Sequence, residues 1–186
     1  MDENPFDLFA DEYEGWFREN ENTFQSELLA LKQVVPAGMT GIEIGIGSGI
    51  FAEQLDIKYG IDPSDKMLDY ARRRNMTVVN GFAGNLPYHA ESFDFATFIT
   101  SRCFIENPEK AIREAHRILK PDGDVIIAFI DEVSALGQIL EKGKNESKFY
   151  KYANFYSVPE IIELIENNVI KFIECLPVII KYNQTE

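Results

Sequence analysis

Cysteine and histidine are scarce in this chain of 186 residues: Cys103 and Cys175 stand far apart with no CxxC pattern, and His89 and His116 share no metal-ligand spacing with them. A structural zinc site or a disulfide framework is therefore not the organising principle. Long apolar runs are missing too. The longest, Val125 to Ile130, has the length of a buried strand and is far too short to cross a bilayer. The N-terminus, Met1 to Pro5, is acidic and is followed by no apolar stretch, so no signal peptide is expected and the cytoplasm is the expected location. Positive charge is also in short supply, with 18 Lys and Arg against 31 Asp and Glu and a net charge of −13. Nine of those carboxylates fall within residues 1–27, where Arg18 is the only cation. Such a field repels polyanions and argues against nucleic acid as a partner. The segment reads as a solvated helix face that keeps the chain soluble.

What is present is an alternation of strand and helix signals. Two helices are expected first. The second is capped at Asn22 and followed by Phe24, Leu28, Leu31 and Val35 at helical spacing before Pro36 stops it. Strand-like runs follow at 41–46, 57–61, 76–79, 93–100, 124–130 and 169–180, separated by helices that mark their own starts. Ser64 precedes one, Asn107-Pro108 opens another, and Ser157 with Glu160 forms a capping box before a third. Strands alternating with helices imply parallel strands joined by right-handed crossovers, hence an α/β doubly wound, mostly parallel sheet.

The chemically informative stretch runs Gly41-Ile-Glu43-Ile-Gly45-Ile46-Gly47-Ser-Gly49-Ile-Phe-Ala52. A strand enters a glycine turn and a helix leaves it, so backbone can approach a ligand closely and a helix N-terminus offers free N–H groups. The next strand ends at Asp62-Pro63, where a carboxylate can accept from both hydroxyls of a ribose. Gly47, Gly49 and Ala52 also satisfy the dinucleotide fingerprint, so a nicotinamide-dependent oxidoreductase competes at this point.

Further motifs lie downstream: Gly81-Phe82-Ala83-Gly84-Asn85-Leu86-Pro87-Tyr88, then Ser92-Phe93-Asp94, then Glu114-Ala-His-Arg117-Ile-Leu119-Lys120-Pro121-Asp-Gly123. With Glu43 inside the first strand, they make the chain resemble the class I S-adenosylmethionine-dependent methyltransferases, in particular the small-molecule branch related to the ubiquinone-biosynthesis enzymes. The resemblance covers roughly residues 6–175. It implies a Rossmann-like single domain, 1–186, made of an N-terminal helical cap (1–36), a cofactor-binding core (37–131) and a C-terminal lid, helix and last strand (132–186). It also implies S-adenosyl-L-methionine as cofactor, no metal, and in-line methyl transfer to a small acceptor.

Residue by residue, the resemblance counts Glu43 among the cofactor-binding positions and places Gly45, Ile46 and Gly47 by the methionine moiety, and Asp62, Pro63 and Met67 by ribose and adenine. Phe82, Ala83 and Gly84 fall at the adenine, and Thr100 and Ser101 near the amino group and sulfonium. Acceptor-pocket candidates are Tyr13, Trp16 and Phe17 on the N-terminal helix, Arg102 beside Cys103, and Tyr150, Tyr152 and Asn154 in the aromatic segment 149–156. No residue presents itself as a catalytic base; His89 and His116 fall in a loop and in a structural helix.

Two departures from the family pattern stand out. Phe82 occupies a position that is commonly acidic, which leaves stacking as its contact with the base. The chain also ends soon after the sixth strand signal, so the final antiparallel strand is expected to be missing, leaving either a sheet one strand short or an exposed edge for a second copy of the chain to cover. A non-catalytic protein that binds S-adenosylmethionine or S-adenosylhomocysteine is the second competing reading.

Overall fold

The computed structural model describes residues 4–167 together with the strands 171–176 and 179–183. Three helices, α1 (Pro5–Leu8), α2 (Ala10–Glu19) and α3 (Glu21–Val34), precede β1 (Gly41–Ile44). The chain continues through α4 (Ile50–Gln54), β2 (Tyr59–Asp62), α5 (Asp65–Arg73), β3 (Thr77–Asn80) and β4 (Phe93–Ile99). It completes the fold with α6 (Pro108–Ile118), β5 (Leu119–Ala128), α7 (Ala135–Gly143), α8 (Val158–Glu166), β6 (Lys171–Leu176) and β7 (Ile179–Asn183). The strands form one seven-stranded sheet in the order β3-β2-β1-β4-β5-β7-β6. β1 to β5 run parallel, and β7 lies antiparallel between β5 and β6. This is the Rossmann-like doubly wound sheet, with the order reversing at β1 and β4.

Alternation along the central strands builds two cores. On β5, Val125 and Ile127 face one side and meet Ile112, Ile118, Ile161 and Ile165 of α6 and α8. Ile126 and Ala128 face the other side, with Leu28, Leu31, Phe51 and Leu68 of α3, α4 and α5. A parallel strand covered on both faces in this way needs apolar residues at every position, which is why Val125 to Ile130 reads as one unbroken run.

Three helix starts follow the local chemistry. Ser64 Oγ accepts from the Met67 N–H at 3.2 Å, Asn107 Oδ1 from the Lys110 N–H at 2.9 Å, and Glu160 Oε2 from the Ser157 N–H at 2.7 Å. The cap expected at Asn22 is not used. α3 starts two residues earlier, with Asn20 in the cap position, and the Asn20 carbonyl takes the Thr23 and Phe24 N–H groups at 3.0 and 3.1 Å. α2 runs into α3 so directly that backbone alone satisfies the first turn.

The final antiparallel strand, expected to be missing, is present. The run 169–180 is not one strand: β6 ends at Leu176 and β7 begins at Ile179. Pro177 stands between them in the sequence, and proline has no N–H to give to a ladder. β7 pairs with β5 from Asp124↔Asn183 to Ala128↔Ile179, so the edge that called for a second copy of the chain is covered from within.

The acidic N-terminal segment is not simply solvated either. Asp7 Oδ1 accepts from Ser64 Oγ at 2.6 Å and from the Lys66 N–H at 3.2 Å, and Asp11 Oδ1 accepts a hydrogen bond from the Tyr70 hydroxyl. Glu14 is paired with Arg74 at 2.7 Å, and Glu12 with Lys148 at 2.6 Å. Their partners lie 57 to 136 residues away in the chain, a separation no local pattern reveals. Among the described residues no helix is long and apolar enough to cross a membrane.

Candidate active site

The site is built where the sheet order reverses. Because β1 and β2 pair with Ile44 opposite Ile61, Asp62 comes to stand beside the turn that leaves β1. The Ile61 carbonyl accepts from the Gly45 and Ile46 N–H groups at 2.8 and 3.1 Å. The Asp62 carboxylate continues the seam, taking the Gly47 N–H on Oδ2 and the Ser64 N–H on Oδ1, both at 2.9 Å. Burial pushes its carboxyl up to about 6, against the downward pull of those two N–H groups.

Two glycines in the turn have specific reasons. Gly45 has φ +79°, and a Cβ there would collide with the Ser101 side chain. Ser101 in turn donates to the Ile44 carbonyl at 2.7 Å. Gly47 has φ +53°, and a Cβ there would meet nothing nearer than the Tyr13 hydroxyl, 4.0 Å away. The backbone at Gly47 therefore faces open space. That space is a cavity of about 1300 Å³, above the roughly 300–1,000 Å³ of a single small-ligand pocket.

Gly45, Gly47, Asp62, Pro63 and Met67 line one part of the cavity, with Phe82, Ala83, Gly84, Thr100 and Ser101 continuing it. Phe82 is 71 % exposed, so its ring is available to cover a ligand. Thr100 holds a left-handed backbone at φ +49° where β4 ends, which turns the chain sharply towards Ser101. Glu43 and Ile46 do not line the cavity. The Ile46 side chain is buried against Gly60. Glu43 lies buried inside β1 with Oε2 lacking a partner among the described residues. Burial, and then the nearby Asp62 charge, hold its carboxyl well above the usual range.

Over this floor sits a roof drawn from both ends of the chain. Tyr13, Trp16 and Phe17 of α2 line the cavity, as do Tyr150 and Tyr152. Phe6 is a ring that sequence spacing did not single out. It contacts Tyr13 at 6.0 Å, Phe104 at 5.1 Å and Phe149 at 5.4 Å between centroids. Burial, then the negative charges around it, hold the Tyr13 phenol above the ordinary tyrosine range, and burial pushes Tyr150 up to about 12.

Arg102 and Asn154 depart from expectation. Both line a separate small pocket of about 10 Å³. Arg102 is 3 % exposed, with its guanidinium 3.6 Å from the Tyr156 ring centroid. Arg102, three residues beyond the end of β4, turns its side chain onto Tyr156, a direction that sequence position alone does not reveal. Cys103 is a free thiol pushed up to about 12 by burial. His89 and His116 do not line the cavity.

Two more residues escaped the sequence. Arg74, just after α5, holds Glu14 with both terminal nitrogens and also donates to the Ser48 carbonyl of the turn at 3.0 Å. Glu27 of α3 lines the cavity, and burial raises its carboxyl above the ordinary value. The i, i+3 and i+4 apolar spacing around Glu27 would have placed it near the buried stripe of α3, but not what it faces.

A glycine turn, a carboxylate at the next strand end and a large cleft at the switch point define a nucleoside-binding α/β domain. Comparison with known proteins narrows the class. Residues 42–127 match the family model described as a methyltransferase domain. An uncharacterized protein of Methanocaldococcus jannaschii is 44 % identical over 96 % of this chain and 86 % of its own. A Thermotoga maritima SAM-dependent methyltransferase, named a possible histamine N-methyltransferase, superposes with a TM-score of 0.91 at 37 % identity, covering 97 % of this chain and 99 % of its own. A ubiquinone/menaquinone biosynthesis C-methyltransferase of Rickettsia typhi is 28 % identical over 68 % of this chain and 55 % of its own. The chain belongs to the class I S-adenosylmethionine-dependent methyltransferases, and S-adenosylmethionine is its cofactor.

Proposed function

We propose that this chain transfers a methyl group from S-adenosylmethionine to a small acceptor bound beneath the aromatic roof. The observation that carries this reading is the open backbone at Gly47 beside Asp62, with Tyr13 on the far side of the gap. The residues fit the cofactor. Asp62 has lone pairs left for two ribose hydroxyls, and Pro63 and Met67 supply apolar surface beside it. Phe82, Ala83 and Gly84 suit the adenine, with Lys110 next to Gly84. Thr100, Ser101 and the turn from Gly45 to Gly47 receive the methionine end.

The cofactor supplies an electrophilic methyl group on a sulfonium. The protein's own part is to align the acceptor and keep water out, which for a displacement of this kind supplies much of the rate. Tyr13, Phe6 and Phe149 provide that cover, and the cavity is large enough for two ligands. A polyanionic acceptor is disfavoured by Asp11, Glu12, Glu19 and Glu106 along the lining.

The test is calorimetry with S-adenosylhomocysteine and NADH, followed by detection of S-adenosylhomocysteine release across a panel of small acceptors. Micromolar binding of the sulfur nucleoside with turnover on at least one acceptor supports the reading. Binding of NADH alone overturns it, and tight sulfur-nucleoside binding without turnover on any acceptor favours a non-catalytic binding protein.

A further inference from the structure

The acceptor end of the cavity has one sign of charge and one kind of wall. Among the described lining residues Lys110 is the one cation, and it stands at the adenine side, with its Cδ 3.4 Å from where a Gly84 Cβ would be. Three lysines of the lid have partners, Lys151 by way of the Tyr152 ring, whose centroid is 5.3 Å from its Nζ. Lys148 pairs with Glu12 at 2.6 Å and Lys144 with Glu141 at 2.8 Å. Arg102 is turned away onto Tyr156. Opposite them, Glu27 reaches the lining from α3, and no hydrogen bond or ion pair joins its carboxylate to another described residue.

The wall is aromatic. Phe104 and Tyr150 stack at 5.9 Å, Tyr13 meets Phe149 at 5.9 Å, and Phe6 bridges Phe104 and Phe149. Ring faces attract cations, and a half-buried carboxylate attracts them more strongly. An anionic acceptor would leave Glu27 facing a like charge. A neutral one would leave it without a counter-charge.

Building on the methyl-transfer reading, we propose that the acceptor is a small organic amine, received as its ammonium ion between Glu27 and the ring faces of Tyr13, Phe149 and Tyr150. The same contact prepares the chemistry. An ammonium ion has no lone pair to attack with, so it passes one proton to Glu27, leaving a neutral amine and a carboxylic acid. The amine nitrogen then forms the N–C bond as the S–C bond breaks, and sulfur keeps the electron pair of the broken bond. The methylated nitrogen carries the positive charge that the sulfonium gives up, and Glu27 later releases its proton to water. Burial raises Glu27's affinity for that proton, in the direction the transfer requires.

Three probes of nearly equal shape test this on the full chain loaded with S-adenosylhomocysteine: 2-phenylethylamine, 2-phenylethanol and 3-phenylpropionate. Calorimetry is expected to show the amine binding at least tenfold more tightly than the alcohol, with no binding of the acid. Glu27→Gln is expected to weaken the amine at least tenfold while leaving S-adenosylhomocysteine affinity within twofold, and circular dichroism checks that this variant is folded. Equal binding of the alcohol, preference for the acid, no amine binding by the loaded protein, or an unchanged amine affinity in Glu27→Gln overturns the proposal. Failure of S-adenosylhomocysteine itself to bind the wild-type chain is a different result: it removes the methyl-transfer reading and this one with it.

Discussion

Arg74 grips the Glu14 carboxylate at both oxygens, 2.7 Å from Nη2 to Oε2 and 3.2 Å from Nη1 to Oε1. The same guanidinium reaches Glu53 at 3.2 Å and the Ser48 carbonyl at 3.0 Å. One side chain thus joins the N-terminal roof to the glycine turn that leaves β1. The side chains of the pair are 18 % and 11 % exposed, so little solvent screening weakens it, unlike a surface ion pair.

Arg74→Ala is expected to cost about 2 kcal/mol, since it strips a buried carboxylate and a backbone carbonyl of their donors. It is also expected to weaken S-adenosylhomocysteine, because α2 is no longer tied to the turn. Urea unfolding and calorimetry check the two effects, and Arg74→Lys should recover only part of either, having lost the planar fork.

Asp62 sets a pH window. Its carboxyl titrates at about 6, raised by burial, and the ionised form is the one that accepts from ribose hydroxyls. S-adenosylhomocysteine affinity is therefore expected to hold above pH 6 and to fall by up to about tenfold per unit below it. The sign for stability is opposite. A raised carboxyl favours the fold while protonated, so that contribution declines as pH rises from the ordinary carboxylate range to about 6. Asp62→Asn should flatten both profiles, and an affinity constant from pH 8 to 5 in the wild type would remove the assigned contact.

Gly45→Ala should destabilise the protein by about 2 kcal/mol or more, combining the strain of a left-handed backbone with the collision at Ser101. Adding Ser101→Gly removes the collision but not the strain, so the double variant is expected to recover part of the loss. Full additivity in chemical denaturation would show that the two residues do not meet.

Lys148→Ala separates roof mobility from stability. The Glu12–Lys148 pair is about half exposed on both sides, and such pairs contribute roughly 0–1 kcal/mol. Melting should barely move, while amide exchange in residues 144–152 speeds up and the acceptor KM rises. Unchanged exchange would mean that the aromatic contacts alone hold the lid.

How much of this was legible in the sequence depended on range. Ser64, Asn107 and the Ser157–Glu160 box act within one helical turn, and each caps where local chemistry places it. Asp62 and the glycine turn belong to consecutive strands, and their meeting follows from right-handed crossover rules. Asn22 misled because the helix before it runs on, and Arg102 because the end of a strand does not say which way a side chain turns. The paired carboxylates of the N-terminal segment were beyond reach: Asp7, Glu12 and Glu14 meet partners that folding alone brings near. The closing strand was hidden because two short strands of one hairpin share a single apolar run.

The floor of the cleft is encoded in a nearly continuous stretch, from Gly41 to Ser101, whereas its roof comes from two separate pieces that meet at Glu12 and Lys148. The two halves touch through Asp7, bonded to Ser64, and through Glu14, paired with Arg74. Away from those two positions, substitutions in residues 5–27 or 136–152 are expected to retune which guest is admitted with little effect on how the nucleoside is held. A change in the central stretch alters the grip on the nucleoside whatever the guest. An acceptor-exchange experiment on this scaffold accordingly has a defined territory, and it excludes the glycine turn.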